Sequence, residues 1–191
     1  VELDVRQIKS VEQMVEKAVE SFGRIDILVN NAGVIVRKKA IETSEEEWDH
    51  VIDVNLKGVF FTSQYVAREM IKKRSGKIIN ISSINGVIGS DERASYTASK
   101  AGVVNLTRTL AAEWAEHGIN VNAIGPTYLL TPLTKSLFEN EDFKGKYFER
   151  QPIQRIGRPE DILGAVIYLA SSASDLVTGH TLMVDGGWTS V

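Results

Sequence analysis

A doubly wound parallel α/β sheet, with helices on both faces, is the fold this sequence predicts. Three observations predict it. Short apolar runs recur at Ile25–Val29, Lys77–Ile81, Ile119–Ile124 and Thr181–Val184. Stretches with apolar residues three and four apart separate them. Strands alternating with amphipathic helices are joined by right-handed crossovers, which makes the strands parallel. The 191 residues fit one domain, with 43% hydrophobic and 25% charged residues placing the chain in the globular class.

The elements follow in order. Val1–Val5 reads as the tail of a strand already in progress. Val11, Met14, Val15, Ala18, Val19 and Phe22 share one helical face, and Gly23 ends that helix. Ser44 and Glu47 have capping-box spacing before a helical stretch to about Lys73, with Gly76 as its stop. Residues 95–117 read as a helix closed by Gly118, and residues 126–158 as irregular with short helical pieces. Pro159, Glu160 and Asp161 suit the first turn of a helix running to about Ala170. There is no internal repeat and no linker.

Composition narrows the function. A net charge of -3 gives no electrostatic case for nucleic acid or an anionic membrane. No apolar run approaches the roughly 18 residues of a membrane span. The chain has no cysteine, which removes thiolate chemistry and suits a reducing cytoplasm. His50, His117 and His180 lack metal-ligand spacing and receive no chemistry, so no metal is expected. Glu45-Glu46-Glu47 and Asp91-Glu92-Arg93 read as solvated charge.

Ligands of doubly wound sheets bind beyond the carboxyl ends of the strands. That rule picks out four loops: after Val29, after Ile81, after Ile124 and after Val184. Asn30-Asn31-Ala32-Gly33 offers small residues for close backbone approach, though Asn and Gly are also ordinary turn residues. Ser82-Ser83 offers hydroxyls at a strand end, usually solvated or capping groups, one of which could donate to a substrate oxygen. Tyr96 and Lys100 share a helix face, and an ammonium beside a phenol lowers its pKa toward acid–base use. Read alone, the pair is better explained as surface neighbours. Asn55 lies beside an apolar helix face, either as a satisfied core amide or at a local helix break that holds a water.

Together Asn30-Asn31-Ala32-Gly33, Asn55, Ser83, Tyr96-Thr97-Ala98-Ser99-Lys100 and Asp185-Gly186-Gly187 resemble the short-chain dehydrogenase/reductase family. The separation of Ser83 from Tyr96 is typical of that family, and the resemblance covers the whole chain. It implies a Rossmann-like oxidoreductase using NAD or NADP. Carried over residue by residue, it implies Tyr96 as acid/base and Lys100 as the residue that lowers its pKa and holds the nicotinamide ribose. Ser83 would donate to the substrate oxygen, and Asn55 would position a water in a proton relay. Asp4 and Val5 would contact adenine, and Asn31, Ala32 and Gly33 would lie along the adenosine ribose. Leu129 and Thr131 would meet the nicotinamide carboxamide. Homotetramers built on the long helices and the last strand are implied as well, with Val184 and Trp188 suited to that contact.

Two departures stand out. Gly125-Pro126-Thr127 replaces the family's usual Pro-Gly, so a bend at Gly125 is expected. The family's opening Gly-rich phosphate turn is absent, and with it about 60 residues, the size of two βα units. That absence predicts an open edge on the strand at Ile25–Val29. Within the family the chain resembles the sugar-acid dehydrogenases acting on gluconate-like compounds, on Val34-Ile35-Val36-Arg37-Lys38, Thr134-Lys135-Ser136-Leu137 and Ser171-Ser172-Ala173-Ser174-Asp175. Arg37 is then a candidate for a substrate carboxylate, against the plainer reading of an exposed loop arginine. A 3-oxoacyl-carrier-protein reductase is the alternative, and a catalytically silent oligomerising fragment is an alternative of another class.

Overall fold

A computed structural model describes residues 1–132 and 134–191. Four strands form one sheet in chain order: β1 (Ile27–Asn30), β2 (Gly76–Ile81), β3 (Ile119–Pro126) and β4 (Thr181–Val184). All three pairings are parallel, with Ile27 opposite Lys77, Gly76 opposite Ile119 and Ala123 opposite Thr181. Helix α1 (Ile8–Phe22) precedes β1. Helices α2 (Glu45–Ile52) and α3 (Gly58–Lys73) lie between β1 and β2, and α4 (Ala94–Trp114) between β2 and β3. Helices α5 (Lys135–Phe138), α6 (Glu141–Arg150) and α7 (Leu163–Ala170) lead to β4.

Alternation along the strands sends successive side chains to opposite faces. Ile78 and Val121 pack with Val15, Val66, Met70 and Leu110 from α1, α3 and α4. Ile79 and Ile124 pack on the other face with Leu169 of α7. Both faces are covered, as the doubly wound reading requires. Among the described strands β1 pairs only with β2, and Ile27 and Val29 are 47% and 40% exposed. The expected open edge is therefore present.

Local signals were realised with a few corrections. The Ser44–Glu47 capping box forms, with each residue's main-chain N–H donating to the other's side chain at 3.2 and 2.9 Å. Gly23 and Gly118 close their helices at φ 74° and 72°. Gly76 is not the helix stop. Arg74 ends α3 at φ 53°, and Gly76 opens β2. A Cβ on Gly76 would lie 2.3 Å from the Met70 sulfur, so close packing is what requires glycine there. Gly125 makes no bend either. It lies within β3, where a Cβ would meet the Met183 sulfur at 2.5 Å.

Val1–Val5 forms no strand. The Asp4 carboxylate accepts the main-chain and side-chain N–H groups of Arg6, which closes a turn instead. Val5 packs on the bare Cα of Gly58, at a distance a Cβ would not permit.

A polar chain crosses the core and ties the carboxyl ends of β1 and β2 to the helices. Asn30 Nδ2 donates to Ser63 Oγ (2.9 Å) and to Asn80 Oδ1 (2.8 Å). Asn80 Nδ2 donates to Thr107 Oγ1 at 2.9 Å. Asn30 is thus a satisfied core amide holding the loop that follows it, not part of an open turn.

Candidate active site

The loops beyond β1, β2 and β3 and the first turns of α4 enclose a cleft of about 200 Å³. Asn31, Gly33, Arg37, Ser83, Tyr96, Lys100, Leu129 and Thr131 all line it. Eight sequence-predicted residues, distant in the chain, thus meet in one space.

Helix α4 brings Tyr96 and Lys100 in one turn apart. The Lys100 side chain is 5% exposed, and its ammonium donates to Ile81 O at 2.8 Å. Burial pushes its pKa down to about 8. The ammonium lies 5.7 Å from the centre of the Tyr96 ring. Burial holds the Tyr96 phenol above its ordinary value, opposed by the Ser83 hydroxyl and the cations Arg93 and Arg37. This corrects the expectation that Lys100 lowers the phenol's pKa here. The amine gives one of its protons to the Ile81 carbonyl, and loss of water dominates both groups. A phenol that stays protonated at neutral pH is suited to donating a proton to a carbonyl oxygen.

The two serines separate cleanly. Ser82 Oγ donates to the Lys100 carbonyl at 3.0 Å, so its proton is used within the fold. Ser83 Oγ accepts from Asn85 N at 3.1 Å, which leaves its O–H to donate into the cleft beside Tyr96.

Asn55 is fully buried in a π-helical turn, Asp53–Lys57, between α2 and α3. The expected helix break is therefore real. Asn55 Oδ1 accepts from Val34 N (2.8 Å), and Nδ2 donates to Val34 O (2.9 Å) and Ser99 Oγ (3.1 Å). Ser99 in turn donates to Tyr96 O at 2.7 Å. The amide clamps the loop after β1 to the Tyr96 helix, and its groups are satisfied by protein. A Cβ on Gly33 would stand 3.6 Å from Asn55 Oδ1 and 3.7 Å from Lys100 Nζ.

The floor of a neighbouring hollow against β1 is built from Val5, Asn31, Ala32, Val54 and Val59. Asp4 does not line it, because its carboxylate is held by Arg6 and Gln7. A flat aromatic group fits the apolar side chains of this hollow. The bare main chain at Ala32-Gly33 and the uncommitted protons of the Lys100 ammonium fit a ribose between hollow and cleft. These are the features a nicotinamide dinucleotide requires of this part of the fold. At the far wall, Leu129 pairs with Gly157 in an isolated bridge, and Thr131 N donates to Thr134 Oγ1 at 3.0 Å.

Arg93, Tyr128 and Asn85 also line the cleft and were not among the sequence candidates. Arg93 was read as solvated charge, yet its guanidinium carbon sits 5.6 Å from the centre of the Tyr128 ring. The signal available was its position three residues before Tyr96. Trp188 packs on Tyr128 and Tyr147 and stays partly exposed.

The comparisons agree with this geometry. Residues 1–189 match the family model described as enoyl-(acyl carrier protein) reductase. The chain is 52% identical over 186 residues to 2-dehydro-3-deoxy-D-gluconate 5-dehydrogenase of Dickeya dadantii, covering 97% of this chain and 74% of that one. It is 43% identical to a 3-oxoacyl-[acyl-carrier-protein] reductase of Thermotoga maritima, covering 97% and 74%. Among solved structures, gluconate 5-dehydrogenase of Burkholderia cenocepacia, in complex with NADP and tartrate, superimposes with a TM-score of 0.97 at 40% identity, covering 99% of this chain and 74% of that one. The fold, the meeting of Ser83, Tyr96 and Lys100 in one cleft, and these likenesses place the chain in the short-chain dehydrogenase/reductase family.

Proposed function

We propose that the protein is an NAD(P)-dependent oxidoreductase acting on a secondary alcohol or ketone of a sugar acid such as gluconate. The nicotinamide, when bound, supplies or accepts the hydride. Tyr96 holds or delivers the proton at the substrate oxygen, and Ser83 donates a hydrogen bond to that oxygen. Lys100 holds the nicotinamide ribose, and Asn55 fixes the loop after β1 against the helix that carries Tyr96 and Lys100. Leu129 and Thr131 hold the carboxamide. Val5, Asn31 and Ala32 line the adenosine side, and Gly33 leads from it into the cleft. The solved relative binds NADP, which favours NADP over NAD.

The observation that carries the sugar-acid reading is Arg37. It stands at the mouth of the cleft that holds Ser83 and Tyr96, with no carboxylate partner among the described residues. A guanidinium there suits a substrate carboxylate, whereas an acyl thioester presents none at its reacting end. The test is to assay the full-length enzyme with both cofactors against gluconate-type acids and 3-oxoacyl thioesters. Turnover of the acids is expected, with Arg37→Ala raising KM roughly tenfold or more and changing kcat far less. Activity confined to the thioesters would overturn the reading.

Homotetrameric assembly and a cytoplasmic location belong to the same proposal. No helix among the described residues is long and apolar enough to cross a membrane. Leu163, Ile167 and Tyr168 of α7 and the nearby Leu176 are exposed, and with the partly exposed Val184 and Trp188 they offer apolar surface for a subunit contact. Sedimentation of the full-length enzyme at micromolar concentration should show a tetramer, and a monomer alone would refute it.

A further inference from the structure

Arg37 is not the only cation facing the cleft. Glu92, just before α4, takes φ 56°, a left-handed conformation unfavourable for a residue with a side chain. Its carbonyl accepts the Lys38 N–H at 2.8 Å, and Lys38 and Arg93 form an isolated parallel bridge. This stitch joins the segment carrying Arg37 to the approach of α4. Lys38 itself is neutralised by Glu47 at 2.9 Å. Arg37 and Arg93 remain, both lining the space that holds Ser83 and Tyr96.

Neither guanidinium has a carboxylate partner among the described residues. Arg93 is held against the face of Tyr128, which fixes a side chain that is otherwise flexible. Arg37 is exposed at the cleft mouth, and partial loss of water there, then the charge of Arg93, disfavour its guanidinium. Two like charges lining one cleft without a counter-charge are unfavourable, and a bound anion relieves them.

We propose that Arg93 is a specificity-determining residue. With Arg37 it forms a two-arginine clamp on the carboxylate of the substrate, while Ser83 and Tyr96 engage the reacting oxygen. The inference rests on the sugar-acid reading and adds a second, preorganised cation to it. The Lys38–Glu92 hydrogen bond and the Lys38–Arg93 bridge join the segments that carry the two arms.

The test uses full-length Arg93→Gln and Arg93→Lys enzymes with gluconate and NADP, each checked for an unchanged melting temperature. The expected result for Arg93→Gln is a KM for gluconate raised about tenfold or more, with kcat within about threefold and the KM for NADP unchanged. Arg93→Lys, which keeps the charge but loses the planar fork, should recover part of the loss. A gluconate KM unchanged in Arg93→Gln overturns the clamp and leaves the sugar-acid reading standing. A fall in kcat alone overturns it in favour of a structural role. A rise confined to the KM for NADP overturns it in favour of a contact with the cofactor's phosphates. A wild-type enzyme that turns over no sugar acid overturns the substrate reading and the clamp with it.

Discussion

Replacing Tyr96 by phenylalanine should lower turnover on the order of 100-fold or more while leaving the fold intact. The ring keeps its packing in the first turn of α4, and only the titrating oxygen is lost. Because burial raises the phenol's pKa, the wild-type residue is protonated throughout the neutral range. Reduction, which consumes that proton, should therefore be insensitive to pH near neutrality. Oxidation needs the phenolate, so its kcat/KM should climb with pH up to and beyond the ordinary tyrosine range. Initial rates in both directions from pH 6 to 10, for wild type and Tyr96→Phe, measure this. Wild-type turnover in the mutant would remove Tyr96 from the chemistry.

The second large effect has opposite signs for activity and stability. Lys100→Met should abolish most turnover yet stabilise the fold at pH 7. Burial lowers the lysine's pKa from 10.5 to about 8. At 1.36 kcal/mol per pKa unit, that is about 3 kcal/mol of penalty for the buried ammonium. Methionine removes the penalty but leaves Ile81 O without its donor, a loss of about 1 kcal/mol. A net gain of about 1–3 kcal/mol remains. The folded pKa lies below the unfolded one, so the folded state binds fewer protons between them. Wild-type stability therefore rises from pH 8 toward 10.5, and below pH 8 the penalty is complete. Urea unfolding at pH 7 and pH 10 should show the mutant's advantage at the lower pH and its shrinkage at the higher. An advantage absent at pH 7, or equal at both, would contradict the account.

Much of this was readable from the chain because the signals were local or periodic. The strand runs, the Ser44–Glu47 cap and the spacing of Tyr96 and Lys100 fixed the sheet order's raw material and the centre of the cleft. Asn55 was conspicuous because an amide beside an apolar face demands partners. Other features depended on contacts between distant segments. Gly76 and Gly125 looked like punctuation, but each is required by a sulfur atom from another element. Arg93 sits among charges that look solvated until the bridge to Lys38 and the ring of Tyr128 are in view. The direction of the Tyr96 and Lys100 shifts depends on how much water the closed cleft excludes, and spacing carries no information about that.

The π-helical turn at Asp53–Lys57 means that this stretch has one residue more than regular α-helix needs to cover the same path. The faces of α2 and α3 on either side keep their own alignment, and the surplus is absorbed locally. The residue count of the helix is thus itself a functional quantity. A chain one residue shorter here would make a more regular helix and a better-formed hydrogen-bond ladder. It would also withdraw the amide that joins Val34 to Ser99 and Tyr96. Selection for regularity and selection for catalysis pull against each other at this turn, and length polymorphism among relatives should be least tolerated where the helix is least ideal.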